Sequence, residues 1–330
     1  MKKTLFTGLI LALLLSGCST STPLPEPSPL PTMPVPPLPI STAEPAQTIL
    51  PELVLEITSE SDPLKTPYGI VLDSSGKIYV NDAGNSRVLV FDDDGSLLAK
   101  WDQRGNGAGE FNSLGFGGVA IDGNDNVFVV DNGNHRIQKF DTAGTFLAQW
   151  GTEGREDSQF VRAIGIAVDG GGNVYVTDDG NPFVQKFDNN GKFLMKWGGA
   201  GTGDGQFRHT TGIAVDAQGN VFVSDYENKR VQKFDSQGRF ITAWSLGADI
   251  GVIGTPEGIA IDDQGQVYVT DYALGRIQVF DNNGKWLESW GTDSLSNSFF
   301  HRPVTMAFDT HGHFCVVNQS IGHVQMFNLP

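Results

Sequence analysis

Few residues in this chain have the chemistry of a reaction centre. Of its 6 histidines, two, His209 and His301, can be set beside Glu257 as acid–base groups for a lyase or hydrolase. The pattern surrounds them with Tyr68, Arg162, Arg208, Thr211, Tyr226, Tyr272 and Arg302. Such residues hold a ligand by ion pairing, hydrogen bonding and ring contact, with no covalent step. His311 and His313 form an H-x-H, but in a short turn away from His209, so a structural role is expected rather than zinc ligation. "DGNDN" at 122–126 starts like a calcium loop but lacks the glycine and the distal glutamate of one. There is no G-x-S-x-G, no P-loop and no CxxC. No metal site, cofactor or catalytic nucleophile is therefore expected.

Another candidate pair recurs. Aspartate and arginine stand five apart at Asp82/Arg87, Asp131/Arg136, Asp225/Arg230 and Asp271/Arg276, while Asp178 is matched by Phe183 and Asn318 by His323. One active site has no use for several copies, so the aspartate is expected to cap a loop and the arginine to pair with it or with a carbonyl. The pairs recur because the chain itself does.

An aspartate closes "GIVLD", "GVAID", "GIAVD" twice, "GIAID" and "TMAFD", at Asp73, Asp122, Asp169, Asp216, Asp262 and Asp309, separated by 49, 47, 47, 46 and 47 residues. Eighteen residues on from each stands a phenylalanine, and twenty-eight on a tryptophan in the first five copies: Trp101, Trp150, Trp197, Trp244 and Trp290. All length variation lies between a tryptophan and the next aspartate. Each copy reads as four strands, as in "GIAVD", "NVFVSD", "RVQKFD" and "FITAW". The first two are apolar throughout, as strands covered on both faces are. The third does not alternate, which predicts a bulge or burial on both faces. Four-stranded antiparallel units repeated six times describe an all-β chain, a six-bladed β-propeller. The last copy lacks its fourth strand, and "ELVLEIT" at 52–58, with Leu53, Leu55 and Ile57 alternating, is predicted to supply it and close the ring.

The segments 118–151, 165–198 and 212–244 follow "GIAVD…GNVYVTD…N.RIQKFD..G.FL..WG" and so resemble the NHL repeat; the likeness extends over about residues 53–330. It implies the propeller fold. It leaves function open, because NHL propellers host ligand, protein and RNA binding as well as a lyase activity. In the peptidyl-amidating lyases of this kind, zinc-ligand histidines stand just before the first strand. Here those positions are Tyr68, Gly117, Ile164, Thr211, Glu257 and Val304. His209 and His301 are out of that register.

In an up-and-down blade, the second-to-third turn and the connection to the next blade share one face. That face collects the irregular loops, and with them Tyr68, Arg162, Arg208, His209, Thr211, Tyr226, Glu257, Tyr272, His301 and Arg302. The expected role is non-catalytic binding of a protein, peptide or glycan by a monomeric domain. The alternative is a divergent lyase or hydrolase around His209, His301 and Glu257.

The N-terminus has a different composition. "MKK" precedes the apolar run Leu5–Leu15, too short to span a bilayer, and then Leu15-Ser16-Gly17-Cys18. This resembles a bacterial lipoprotein signal: 1–17 removed, Cys18 lipidated, the protein exported and anchored in the cell envelope, at the outer membrane or cell surface. An ordinary secretory signal with an incidental cysteine is the alternative. Residues 19–51 hold 11 of the 17 prolines, which favours an extended stalk or linker over helix or strand. The expected organisation is signal 1–17, lipidated stalk 18–51 and propeller 52–330. Residues 1–51 carry two lysines and two glutamates, so the whole net charge of −16 falls on the propeller. An acidic surface repels phosphate backbones and argues against a nucleic-acid partner.

Overall fold

The computed structural model describes residues 51–58, 62–246, 254–291 and 300–329. The expected signal peptide, Cys18 and most of the stalk lie outside the described residues. Among these residues there are six four-stranded antiparallel sheets and no α-helix. In the fourth sheet, Thr210–Val215, Val221–Asp225, Arg230–Phe234 and Phe240–Ser245 lie in sequence order from the inside out. Blades one, two, three and five repeat the order, beginning at Ile70, Val119, Ala163 and Pro256 respectively. Blade six orders Pro303–Phe308, His313–Asn318 and His323–Asn328, then takes Glu52–Ile57, from the other end of the propeller chain, as its outer strand.

The apolar side chains form six clusters, each spanning two neighbouring blades, and the one between blades six and one also takes in Ile164 of blade three. One joins Phe128, Val130 and Ile137 of blade two to Ile166, Val174, Val176 and Phe187 of blade three. This is why the unit repeats: a lone blade would leave both faces wet. The tryptophans belong to these layers. Trp197 lies between Tyr175 of its own blade, with ring centroids 6.2 Å apart, and Phe234 of the next, at 5.9 Å. Trp101, Trp150 and Trp244 sit in the same way and are half-buried; Trp290 is fully buried.

In blades one to five the innermost strands approach so closely that a side chain cannot fit at one position. A Cβ on Gly165 would stand 2.4 Å from the Thr211 carbonyl oxygen, and one on Gly212 would stand 2.5 Å from that of Glu257. Gly69, Gly118 and Gly258 occupy the same place in their blades, and blade six has Thr305, whose hydroxyl donates to the Tyr68 carbonyl. The aspartate ending each inner strand closes the following turn. Asp169 Oδ1, for example, accepts from the amides of Gly171 and Asn173 at 2.9 and 2.8 Å.

The third strand carries both features expected of it. In blade four its pairing with the fourth strand slips between Lys233 and Phe234, and Val231–Phe234 are buried. The closing strand pairs antiparallel with His323–Asn328, as predicted, but its register slips between Leu53 and Leu55. The slip breaks the expected alternation: Ile57 is buried, Leu55 partly so, and Leu53 is exposed.

Candidate functional site

The recurrent aspartates hold the connections that carry the site residues. Each arginine Nε reaches its aspartate, at 2.7 Å for Asp82/Arg87, 2.8 Å for Asp131/Arg136, 2.9 Å for Asp225/Arg230 and 3.0 Å for Asp271/Arg276. The other carboxylate oxygen accepts an amide from the incoming connection: Arg208 N on Asp225 at 3.1 Å and Thr255 N on Asp271 at 3.0 Å. Where the arginine is missing, the cap persists. Asp178 accepts from the amides of Val161, Arg162 and Gly180, and Asn318 Oδ1 from His301 N at 2.7 Å. Burial raises the pKa of Asp178 despite those bonds.

Two sets of equivalent positions meet around the propeller axis on the loop face. One precedes the inner strand: Tyr68, Gly117, Ile164, Thr211, Glu257 and Val304. The other follows the second-strand cap: Ala83, Asn132, Asp179, Tyr226, Tyr272 and Gln319. From these, with Phe116 and His209, the fold builds a cavity of ≈ 200 Å³ lined by Tyr68, Phe116, Ile164, His209, Thr211, Tyr226, Glu257, Tyr272, Val304 and Gln319. A second, mainly apolar cavity of ≈ 270 Å³ runs among the inner strands and shares Tyr68 and Thr211 with it.

Six of the residues singled out in the sequence therefore line one cavity: Tyr68, His209, Thr211, Tyr226, Glu257 and Tyr272. Arg162, Arg208, His301 and Arg302 are exposed and do not line it. Arg162 pairs with Asp179, Arg208 approaches Glu227 at 3.8 Å, and the Arg302 guanidinium lies 5.6 Å from the centre of the Tyr272 ring. His209 and Glu257 share the cavity; His301 does not join them. Phe116, Ile164, Val304, Gln319 and the buried Asp179 are additions from the structure. Their signal in the sequence is variation between copies: these columns change from blade to blade while the columns that build the blade do not.

At the cavity Tyr68 Oη donates to Glu257 Oε1 at 2.6 Å, joining blade one to blade five. Burial pushes the Glu257 carboxyl up to about 7, against the Tyr68 hydrogen bond, which favours the ionised form. Burial, and the neighbouring Glu257 charge, push the Tyr68 phenol well above its ordinary range. His209 Nε2 lies 3.3 Å from Asp179 Oδ1, a contact that alone would favour imidazolium. Arg162 already neutralises Asp179, however, and burial together with the Arg162 charge lowers the His209 pKa below its ordinary value. Both effects favour the neutral imidazole. Its ring lies 5.0 Å from that of Tyr226.

On the opposite face, Asp309 Oδ1 accepts from the amides of His311 and His313, and His313 Nδ1 lies 2.7 Å from Asp309 Oδ2. The H-x-H is thus built into the same Asp-capped turn as the other blades use. Asp122 likewise caps 122–126, accepting from Asn124 N and Asn126 N. Among the described residues no group of three or more His, Cys, Asp or Glu is placed to hold a metal ion. Cys315 is buried, which raises its thiol pKa.

Residues 53–153 match a family described as a 6-bladed beta-propeller, and 207–234 and 254–280 match the NHL repeat. The chain is a six-bladed β-propeller, and two of its repeats match the NHL repeat. No curated protein matches its sequence. Among solved structures, the propeller is similar to virginiamycin B lyase from Staphylococcus aureus, at 12% identity and a TM-score of 0.59 over 84% of this chain and 99% of that one. It is similar to a gluconolactonase from Xanthomonas campestris, at 16% identity and a TM-score of 0.59 over 87% and 97% of the two chains. A chain of a nidogen–laminin complex aligns at 19% identity and a TM-score of 0.54 over 69% and 81%. At these identities the likeness is one of fold.

Proposed function

We propose that this NHL propeller is a binding module that holds a protein, peptide or glycan partner at the loop-face mouth of its axis, with no covalent step. The observation that carries this reading is the convergence of aromatic side chains from several blades on one cavity, with Phe116 left 51% exposed at its edge. Exposed aromatic surface on a rigid frame is what a recognition site uses. The acidic charge disfavours nucleic acid as that partner. We also propose that Cys18 anchors the protein in the cell envelope and that the proline-rich segment lifts the propeller from the membrane, by up to ~100 Å when fully extended. With the propeller as bait, Tyr226→Ala with Tyr272→Ala should abolish partner capture. Arg239→Ala, on the opposite face, should leave it intact. The reverse result would place the site on the turn face.

A second reading rests on Glu257. A carboxyl buried in a cleft, with its pKa near neutrality and a histidine lining the same cavity, is suited to acid–base catalysis in a lyase or hydrolase. The virginiamycin B lyase and the gluconolactonase share only the fold with this chain. Turnover of any captured ligand, lost in Glu257→Gln, would favour this reading over binding alone.

A further inference from the structure

We infer that the mouth of the axis takes an organic ammonium, the group presented by a lysine side chain, a chain-terminal amine or a small alkylamine. The inference deepens the binding reading above and rests on it. Glu257 is 8% exposed and lines the cavity. Its Oε1 accepts from Tyr68, and among the described residues no donor bonds its Oε2. A buried carboxylate in this position lacks a counter-ion, and that is costly in a low-dielectric site.

Each cation of the rim already has a contact of its own. Arg162 pairs with Asp179 and Arg208 approaches Glu227. Lys229 Nζ donates to Thr255 Oγ1 at 3.0 Å and lies 4.9 Å from the centre of the Tyr226 ring, and Arg302 lies over Tyr272. Among the described residues, Glu257 is the buried charge at the mouth without a partner of opposite sign; Lys229 and Arg302, which also lack one, are not buried. The walls suit the same guest. Tyr68, Phe116, Tyr226 and Tyr272 line the cavity, and the Tyr68 and Phe116 rings meet edge-on at 5.6 Å. Aromatic faces attract a cation and exclude water without contributing a competing charge. A neutral guest would leave Glu257 unpaired and an anion would be repelled. The net charge of −16 draws cations toward the domain. A volume of ≈ 200 Å³ admits a head group rather than a folded chain.

Binding should carry a proton signature. The titratable groups that line the cavity with Glu257 are Tyr68, His209, Tyr226 and Tyr272, and Arg302 lies over the Tyr272 ring. The carboxyl, pushed up to about 7, is partly protonated near neutrality. An ammonium stabilises its ionised form, so the proton leaves as the guest enters.

The test is calorimetric titration of the full chain at pH 7, in two buffers of different ionisation enthalpy. The probes are n-butylamine, neutral 1-butanol, and an N-terminally blocked peptide ending in lysine or in norleucine. Butylammonium should bind at least about tenfold tighter than butanol, with proton release. Glu257→Gln should lose about tenfold and the proton release with it. Phe116→Leu, at an exposed wall, should lose about threefold while its circular dichroism is unchanged. Preference for lysine over norleucine would identify a peptide source; amine binding without that preference would identify a free amine. Equal affinity for butanol and butylammonium, or an unchanged Glu257→Gln, would overturn the inference. If a partner is captured at the mouth but butylammonium does not compete, the ammonium assignment fails alone. If mouth substitutions leave capture intact, the binding reading fails as well.

Discussion

Glu257→Gln should stabilise the propeller at pH 8 and leave it unchanged at pH 4. Burial holds the folded-state pKa of Glu257 at about 7, against an ordinary value of 4.5. At about 1.4 kcal/mol for each tenfold change in proton affinity, that interval corresponds to ~3 kcal/mol. The sign follows from proton binding. Between 4.5 and about 7 the folded state holds more protons at this site than the unfolded state, so the contribution of Glu257 falls as pH rises. Below 4.5 both states are protonated and the penalty vanishes; above about 7 it is complete. Glutamine cannot ionise, and its carbonyl still accepts from Tyr68. Paired urea denaturation of the two proteins from pH 4 to pH 8 isolates the effect, because Asp178 and other perturbed groups contribute to both. The difference should grow from about zero to ~3 kcal/mol in favour of glutamine. A difference that stays flat with pH, or that favours glutamate at pH 8, would show that this carboxyl is not desolvated in the folded protein.

Deleting residues 52–58 should lower the melting temperature of the whole propeller, since it bares the third strand of blade six; an unchanged transition would refute closure by the N-terminal strand. Gly165→Ala should destabilise by about 1–3 kcal/mol through overpacking against the Thr211 carbonyl, measurable by denaturation, whereas Gly123→Ala, with nothing nearby for its Cβ to meet, should be nearly neutral. Trp290→Ala should cost about 3–5 kcal/mol and half-buried Trp197→Ala less; equal losses would contradict the difference in burial. Cys18→Ser should release the protein from membranes on fractionation, and unchanged retention would reject the lipid anchor.

The repeat made the architecture legible in the sequence. A period near 47 with fixed internal offsets implies identical units, and identical units with two apolar faces can bury both only by packing in a ring. Strand order, closure by Glu52–Ile57 and the structural role of the Asp–Arg pairs all follow from that local regularity. The register slip at the closing strand did not, because side-chain alternation alone does not reveal where a strand bulges. The site was half legible. Chain order assigned Tyr68, His209 and Glu257 to the loop face, but position along a loop does not say which side chains turn toward the axis. Only the closed ring separates Arg208 and His301, which face solvent, from His209 and Glu257, which line the cavity. Only closure brings Tyr68 within 2.6 Å of Glu257, 189 residues away in the chain. The physical reason is that blade structure depends on contacts within a repeat and between neighbours, whereas the mouth depends on side chains that meet across the axis.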